Sequence, residues 1–235
     1  MGSPHLPNLT SKLLQSYSEA ALRNANGLFA EAELLRDNAH MARAYFLAVA
    51  SIEESGKALL AFDAQKRNLS DPAVCTKLNK SMANHGEKIT YALGAWALSD
   101  TDTREALNAV TDLIYDLKKG REPSMYSDLR TSPDRVQTPS EVVREIAARD
   151  CVKLAGQCLA YARRHVIEKT PPKSTIAQDR LLTIKSAKFQ DVLSTEDFWW
   201  YYISRLEAGQ QDFAEAVQGY EREHIKTGTP YRAPR

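Results

Sequence analysis

Apolar residues recur at i, i+3 and i+4 along most of this chain, the spacing of one face of an α-helix. Leu13, Leu14, Tyr17, Ala20, Ala21, Ala25, Leu28, Phe29, Ala32 and Leu35 keep that period, which predicts a first helix from about Leu9 to Arg36. Thr10 or Ser11 can cap it. The run Asp37-Asn38-Ala39-His40 is short enough to bring the next helix back antiparallel. That next helix, from about Ala39 to Lys66, differs in kind. Between Ala44 and Phe62 only Ser51, Glu53, Glu54, Ser55 and Lys57 are neither apolar nor glycine. Tyr45, Ala48, Val49, Ile52, Gly56 and Leu59 form one stripe, and the opposite side carries Leu47, Ala50, Ala58 and Ala61. A helix apolar nearly all round is buried on most sides, so three charges at its middle are the anomaly around which the chain is read.

Further helices follow from the same period. One spans roughly Pro72 to Leu98 with a break near Lys80, and places Met82, His85, Ile89, Ala92, Leu93 and Trp96 on one face. His85 is thus expected among apolar side chains, with Lys88 one turn on and, taken alone, solvated. Arg104 to Lys119 turns Leu107, Val110, Leu113, Ile114 and Leu117 inward and stops at Gly120. From Gly120 to Pro139 there are three prolines and no period. An irregular segment of that length is uncommon in a compact domain and is often functional; it reads as a basic flap pinned by Tyr126. Thr138-Pro139-Ser140-Glu141 opens a helix that runs to about Glu168. After a Pro171-Pro172 linker come helices at about Ile176 to Phe189 and Thr195 to Lys226, the second bearing the block Phe198-Trp199-Trp200-Tyr201-Tyr202. That block reads as packing, or alternatively as an exposed surface for stacking bases. Strand signals are nearly absent. The expected fold is all-α, a bundle of five to seven helices. Residues 1–8 are expected as a loose arm, 9–170 as the bundle, 171–226 as a helical extension packed on it, and 227–235 as a disordered tail.

Composition narrows the function more by exclusion than by pointing. Net charge is +1, so no global footprint for nucleic acid or membrane exists, and a nucleic-acid site must be a local patch. The three charges in the Ala44–Phe62 stretch exclude it as a membrane span. Cys75, Cys151 and Cys158 form no C-x-x-C and are an odd number, which fits buried free thiols in a reducing cytoplasm. No apolar leader precedes the first helix. Glu221-Arg-Glu-His224 is the one Glu-x-x-His, near a helix end, and neither zinc spacings nor phosphate-cradling glycine motifs occur. Neither metal nor cofactor is expected.

Glu53 and Lys57 stand at i, i+4, the favourable order for an intrahelical ion pair. Glu53 and Glu54 therefore read either as acids satisfied by Lys57 and neighbouring helices, or as part of a charged site in the groove of the bundle. Buried charge costs several kcal/mol per ion, so stability alone is a weak reason for keeping it. Together with His85, Lys88, Arg121 and Tyr126, these groups form an inventory for metal-free RNA cleavage. That chemistry needs a base for the 2′-hydroxyl, an acid for the leaving oxygen and cations for the phosphorane. Histidine gives and takes protons near neutral pH. The candidate catalytic residues are Glu53, Glu54, Lys57, His85 and Lys88, and the candidate substrate-binding residues are Arg121 and Tyr126.

Asn24-Ala25 through Glu31-Ala32-Glu33-Leu34-Leu35, Ala44-x-x-x-Ala48, and Ile52-Glu53-Glu54-Ser55-Gly56-Lys57 resemble the start of the AbiV-type abortive infection proteins, a group within the HEPN superfamily. The resemblance continues through His85-x-x-Lys88 and Arg121 to Tyr126, and covers roughly Leu9 to Arg164. It implies an HEPN-like helical bundle, a homodimer and a part in phage defence. Many HEPN proteins are metal-independent ribonucleases with Arg, four to six residues, then His as their usual signature. This chain departs from that signature: Lys80-x4-His85 has lysine in place of arginine, and Arg121-x4-Tyr126 has tyrosine in place of histidine. The departure leaves the fold expectation intact and keeps three functions open. The first is an effector that acts on RNA or blocks translation in infected cells, with endoribonuclease activity as one form. The second is a non-enzymatic protein that docks a phage or host protein. The third is a nucleotide or small-molecule sensor. RNA, a second copy of the chain and an activating or inhibiting phage protein are the expected partners, in the cytoplasm and away from membranes.

Overall fold

A computed structural model describes residues 8–97, 113, 116–131, 134–183, 192, 196–210 and 212–232. Nearly all of the expected arm, most of the helix expected over Arg104–Lys119, the end of the one expected to Phe189 and the last three residues lie outside these. The elements are α1 (Ser11–Asp37), α2 (Met41–Ala64), α3 (Pro72–Ala83), α4 (His85–Ala97), β1 (Asp128–Thr131), β2 (Asp134–Gln137), α5 (Pro139–Val142), α6 (Glu145–Glu168), α7 (Ile176–Thr183), α8 (Glu196–Glu207) and α9 (Phe213–Tyr220), which runs into a π turn over Glu221–Ile225. The fold class is all-α, as the periodicity predicts. The two four-residue strands are a departure: they pair antiparallel, Leu129 opposite Val136, inside the segment expected to be irregular. The described residues form two compact units, one from those up to Gln65 with Leu78–Pro172, the other from Lys66–Lys77 with those from Lys173 onward.

The first unit is organised by α2, which packs against α1, α4 and α6. Ile52, Val49 and Leu59 on α2 are fully buried or within 1% of it, and each such side chain contributes about 1.5–3 kcal/mol relative to exposure. Small residues bring α1 close: Ala21, Ala25 and Ala32 are buried there. The two serines in this seam are satisfied by the facing backbone, Ser18 Oγ donating to the Ala58 carbonyl and Ser51 Oγ to the Ala25 carbonyl, both at 2.8 Å. Around this seam Cys151 and Cys158 are buried with the aliphatic core. Burial pushes both thiols up, Cys158 to about 12, so each stays a neutral core group rather than a nucleophile.

The turn between α1 and α2 is closed by His40 N–H on the Leu35 carbonyl (2.8 Å) and Ala39 N–H on the Arg36 carbonyl (3.1 Å). This is the pairing of a Schellman motif, which places its C′ residue in the left-handed region. That residue is Ala39, at φ 62°, where a Cβ is disfavoured. Ala39→Gly is therefore expected to raise stability by about 0.4–1 kcal/mol in thermal unfolding followed by circular dichroism; a lowered midpoint would contradict this reading of the turn.

Asn84 divides the helix expected to continue from Pro72 to Leu98. Its N–H closes α3 on the Lys80 carbonyl (3.0 Å), and its side chain caps α4 by accepting Glu87 N–H at 3.0 Å. The break falls at Asn84 rather than near Lys80 and makes His85 the first residue of a new helix.

In the second unit Phe198 lies within an aromatic cluster, stacked on Tyr202 and edge-on to Trp199, Phe213 and Tyr220. Phe198 and Tyr201 are buried, so packing accounts for that part of the aromatic block. The helix expected to run unbroken to Lys226 is interrupted after α8: Gly209 takes φ 81°, and Asp212 caps α9 by accepting the Ala214 and Glu215 N–H groups. Read from sequence as part of a disordered tail, Tyr231 packs on this cluster and donates to Ser204 Oγ at 3.0 Å.

Candidate functional site

Glu53 sits at the middle of α2 and is 4% exposed. Burial of a carboxylate demands partners, and three come from other parts of the first unit. His85 Nδ1 approaches Glu53 Oε2 at 2.6 Å, Lys88 Nζ lies 3.4 Å from the same oxygen, and Arg121 Nε lies 2.8 Å from Oε1. His85 and Lys88 arrive one turn apart on the first residues of α4. Gly56, one turn beyond Glu53, makes this possible: a Cβ there would stand 2.0 Å from the Lys88 carbonyl oxygen. Only glycine admits the α4 backbone at this distance.

Arg121 is delivered by a different device. Residues 116–120 are helical and end at Gly120, where a Cβ would meet the Tyr45 hydroxyl at 2.6 Å. A turn follows, closed by Ser124 N–H on the Gly120 carbonyl (3.1 Å), with the buried Ser124 hydroxyl donating to the Arg121 carbonyl (2.5 Å). From this turn the guanidinium passes over the Phe46 ring, 5.4 Å from its centroid, to reach Glu53. Although the 2.8 Å separation is an ion pair, its N–H is not aimed along that line. Glu53 Oε1 and Arg121 Nε are both buried polar atoms without a hydrogen-bond partner, so the contact is one of charge. No hydrogen bond holds the remaining guanidinium nitrogens among the described residues.

The exposure of His85 is the opposite of its expected place among apolar side chains. Its side chain is 57% exposed, whereas that of Lys88, expected to be solvated, is 6% exposed. The break at Asn84 causes the exchange, since it restarts the helix at His85 and turns Lys88 onto α2. A carboxylate oxygen only accepts, so His85 Nδ1 donates in the 2.6 Å contact, and the neutral imidazole in this tautomer has its lone pair on Nε2. The site is thus an imidazole whose orientation is fixed from behind by a buried carboxylate, flanked by the cations Lys88 and Arg121. Among the described residues one carboxylate pairs with both Lys88 and Arg121, a positive surplus that suits an anionic group docking beside Nε2.

Glu54 and Lys57 stand apart from this set. Lys57 pairs with Glu54 rather than with Glu53, and lies 5.8 Å from the centroid of the Tyr17 ring on α1. Glu53 is occupied by groups from outside the helix, which leaves Lys57 to the i, i+3 partner. Tyr126 does not pin the segment that carries Arg121: it is 60% exposed, and the buried anchor is Ser124. Of the seven candidates the structure brings together Glu53, His85, Lys88 and Arg121, and places Glu54 with Lys57 on a neighbouring face.

A second polar cluster was not anticipated. Asp63 near the end of α2 accepts the Tyr91 hydroxyl at 2.5 Å and meets His165 Nε2 at 3.0 Å, with the Tyr161 hydroxyl 3.4 Å from His165 Nδ1. The one sequence trace of it is Tyr161 and His165 at i, i+4 on α6. It joins α2, α4 and α6 by hydrogen bonds. No group of three or more His, Cys, Asp or Glu side chains among the described residues is arranged to hold a metal ion, and no described helix is long and apolar enough to cross a membrane.

A family model described as AbiV, of the HEPN class, matches residues 13–160. No curated protein and no solved structure matches the chain. The matched span holds all four residues of the Glu53 cluster.

Proposed function

We propose that this chain, which belongs to the AbiV family of abortive-infection proteins in the HEPN class, acts on RNA in the infected cell at the Glu53 cluster, as a metal-independent endoribonuclease. The observation that carries the reading is the exposed His85 held at Nδ1 by buried Glu53. In the step this arrangement suits, His85 Nε2 takes the 2′-hydroxyl proton and the 2′-oxygen attacks phosphorus. The bond to the 5′-oxygen breaks, and the leaving oxygen takes a proton from the solvent to which His85 is open. Products are a 2′,3′-cyclic phosphate and a 5′-hydroxyl. Arg121 and Lys88 face the charge that develops on the phosphorane, and Glu53 stabilises the imidazolium without itself exchanging a proton, as a carboxylate does behind a catalytic histidine. RNA, a second copy of the chain and a phage protein that switches the effector are the partners this reading carries.

Purified protein incubated in EDTA with total RNA and tRNA is expected to yield fragments with cyclic phosphate ends. His85→Ala is expected to slow cleavage by about 10²–10⁴-fold with its helicity unchanged, since the side chain is mostly solvated. Equal cleavage by parent and variant, or none by either in infected-cell extract, would sink the reading. The rival, a docking protein without activity, is favoured by Trp199 and Trp200, 44% and 48% exposed on α8. It predicts that phage protection survives His85→Ala and is lost on replacing those two residues.

A further inference from the structure

The second unit holds a basic cavity of about 510 Å³ that shares no residue with the Glu53 cluster. Its walls come from two segments distant in sequence, residues 66–71 after α2 and residues 173–183 around α7. Four cations line it, Lys66, Arg67, Lys173 and Arg180, against two carboxylates, Asp71 and Asp179.

Both carboxylates already accept hydrogen bonds from the protein. Asp179, nine-tenths buried, accepts Arg67 Nη1 at 2.8 Å on Oδ1, and the Asn68 N–H and Ser174 hydroxyl on Oδ2, both at 3.1 Å. Asp71 caps α3, accepting Ala73 N–H at 2.8 Å. With Asp179 neutralised by Arg67 and Asp71 set against the positive end of a helix, Lys66, Lys173 and Arg180 are left facing one concavity with no carboxylate partner among the described residues. In a chain of net charge +1 this is a local concentration of like charge. Gathering it is unfavourable unless an anion offsets it.

We propose that this cavity binds a small ligand carrying two or more linked phosphates, a nucleoside di- or triphosphate by size. Its volume lies within the range of small-molecule sites, roughly 300–1,000 Å³. The Asp179 brace ties the two walls together through Arg67 and Asn68 before any ligand arrives, so the backbone of the site is preorganised and ordering is confined to the side chains that close on the ligand. Lys66, Lys173 and Arg180 are long, exposed side chains suited to closing on successive phosphates. Ile176, 74% exposed on the same wall, offers an apolar face to a base. The cations converge on one concavity instead of tracking a line, which favours a compact ligand over a nucleic-acid strand.

The test is calorimetric titration of the full chain with ATP, AMP, inorganic triphosphate and a short single-stranded RNA, at low and high salt, repeated with Lys173→Ala/Arg180→Ala. ATP and inorganic triphosphate are expected to bind and AMP at least about tenfold more weakly, the loss of charge-assisted contacts. High salt and the double variant are each expected to weaken ATP by a similar factor. Inorganic triphosphate binding as tightly as ATP would place all recognition on the phosphates; binding more weakly would add the base. Absence of ATP and triphosphate binding, or binding untouched by the double variant, would overturn the proposal. So would RNA that displaces ATP and binds more tightly, because the cavity would then belong to a nucleic-acid path. His85→Ala is expected to leave ATP binding unchanged, so failure here and failure of the ribonuclease reading are separable.

Discussion

Gly56→Ala is expected to lower the stability of the first unit by more than about 3 kcal/mol, the upper end of ordinary overpacking. By propensity alone the change is favourable by about 1 kcal/mol, since glycine is the poorer helix former. The added methyl, however, would lie 2.0 Å from the Lys88 carbonyl oxygen and 2.8 Å from its carbon. Both are backbone atoms of α4, so no side-chain rotation relieves the clash. The helix itself would have to move, and Ile89, Ala92 and Leu93 fix it in the core at full burial. Moving α4 also carries His85 and Lys88 away from Glu53, so RNA cleavage is expected to fall with stability. Gly27→Ala is the control: nothing lies within 4 Å of its Cβ position on α1, and it is expected to stabilise by about 0.5–1 kcal/mol. Thermal unfolding followed by circular dichroism compares the two. A Gly56→Ala protein as stable as its parent would mean that α4 does not approach α2 at this point.

How much of this was legible in the sequence depends on whether a feature is local. The period of α1 and α2 was readable because each buries a continuous stripe, whereas the single helix expected from Thr138 to Glu168 is divided into α5 and α6 by extended backbone at Val143 and Arg144. Asn84 was readable too, as a capping residue three before Glu87, but the apolar stripe on either side of it hid the break. The Gly209 to Asp212 interruption carries its own signature, glycine after one helix and aspartate before the next, beside an aromatic block whose apolar positions run close to it. The hairpin had no such trace: strands of four residues with Leu129 and Val136 exposed leave no burial alternation to detect. Lys57 shows the limit of spacing rules. It lies about 40° from Glu53 and about 60° from Glu54 around the helix, so either pairing is local. What decided it was the arrival of His85, Lys88 and Arg121 at Glu53, a tertiary fact. The anomaly of charge in an apolar helix located the site; its partners could be named as candidates but not assembled.

The second large effect is expected at Glu53. Glu53→Ala removes the one carboxylate that pairs with Lys88 and Arg121 among the described residues, and Lys88, its side chain 6% exposed, is left as a buried cation without that partner. Breaking a buried pair from one side typically costs about 3–5 kcal/mol, and that range is expected here in urea unfolding. Arg121, with its side chain 22% exposed, can turn toward solvent and adds less. A second variant separates stability from chemistry. Replacing both ends of the buried pair, Glu53→Leu with Lys88→Met, removes the desolvated charges along with their attraction, and such exchanges are often neutral or stabilising. The double variant is therefore expected to recover most of the stability that Glu53→Ala loses. It leaves His85 with no carboxylate to hold Nδ1 and the phosphorane with one cation fewer, so RNA cleavage and phage protection are expected to stay lost. Recovery of both stability and protection would give the charged cluster a purely architectural role and shift the function to docking. Recovery of stability alone would mean that these charges are retained at a folding cost for the chemistry they perform.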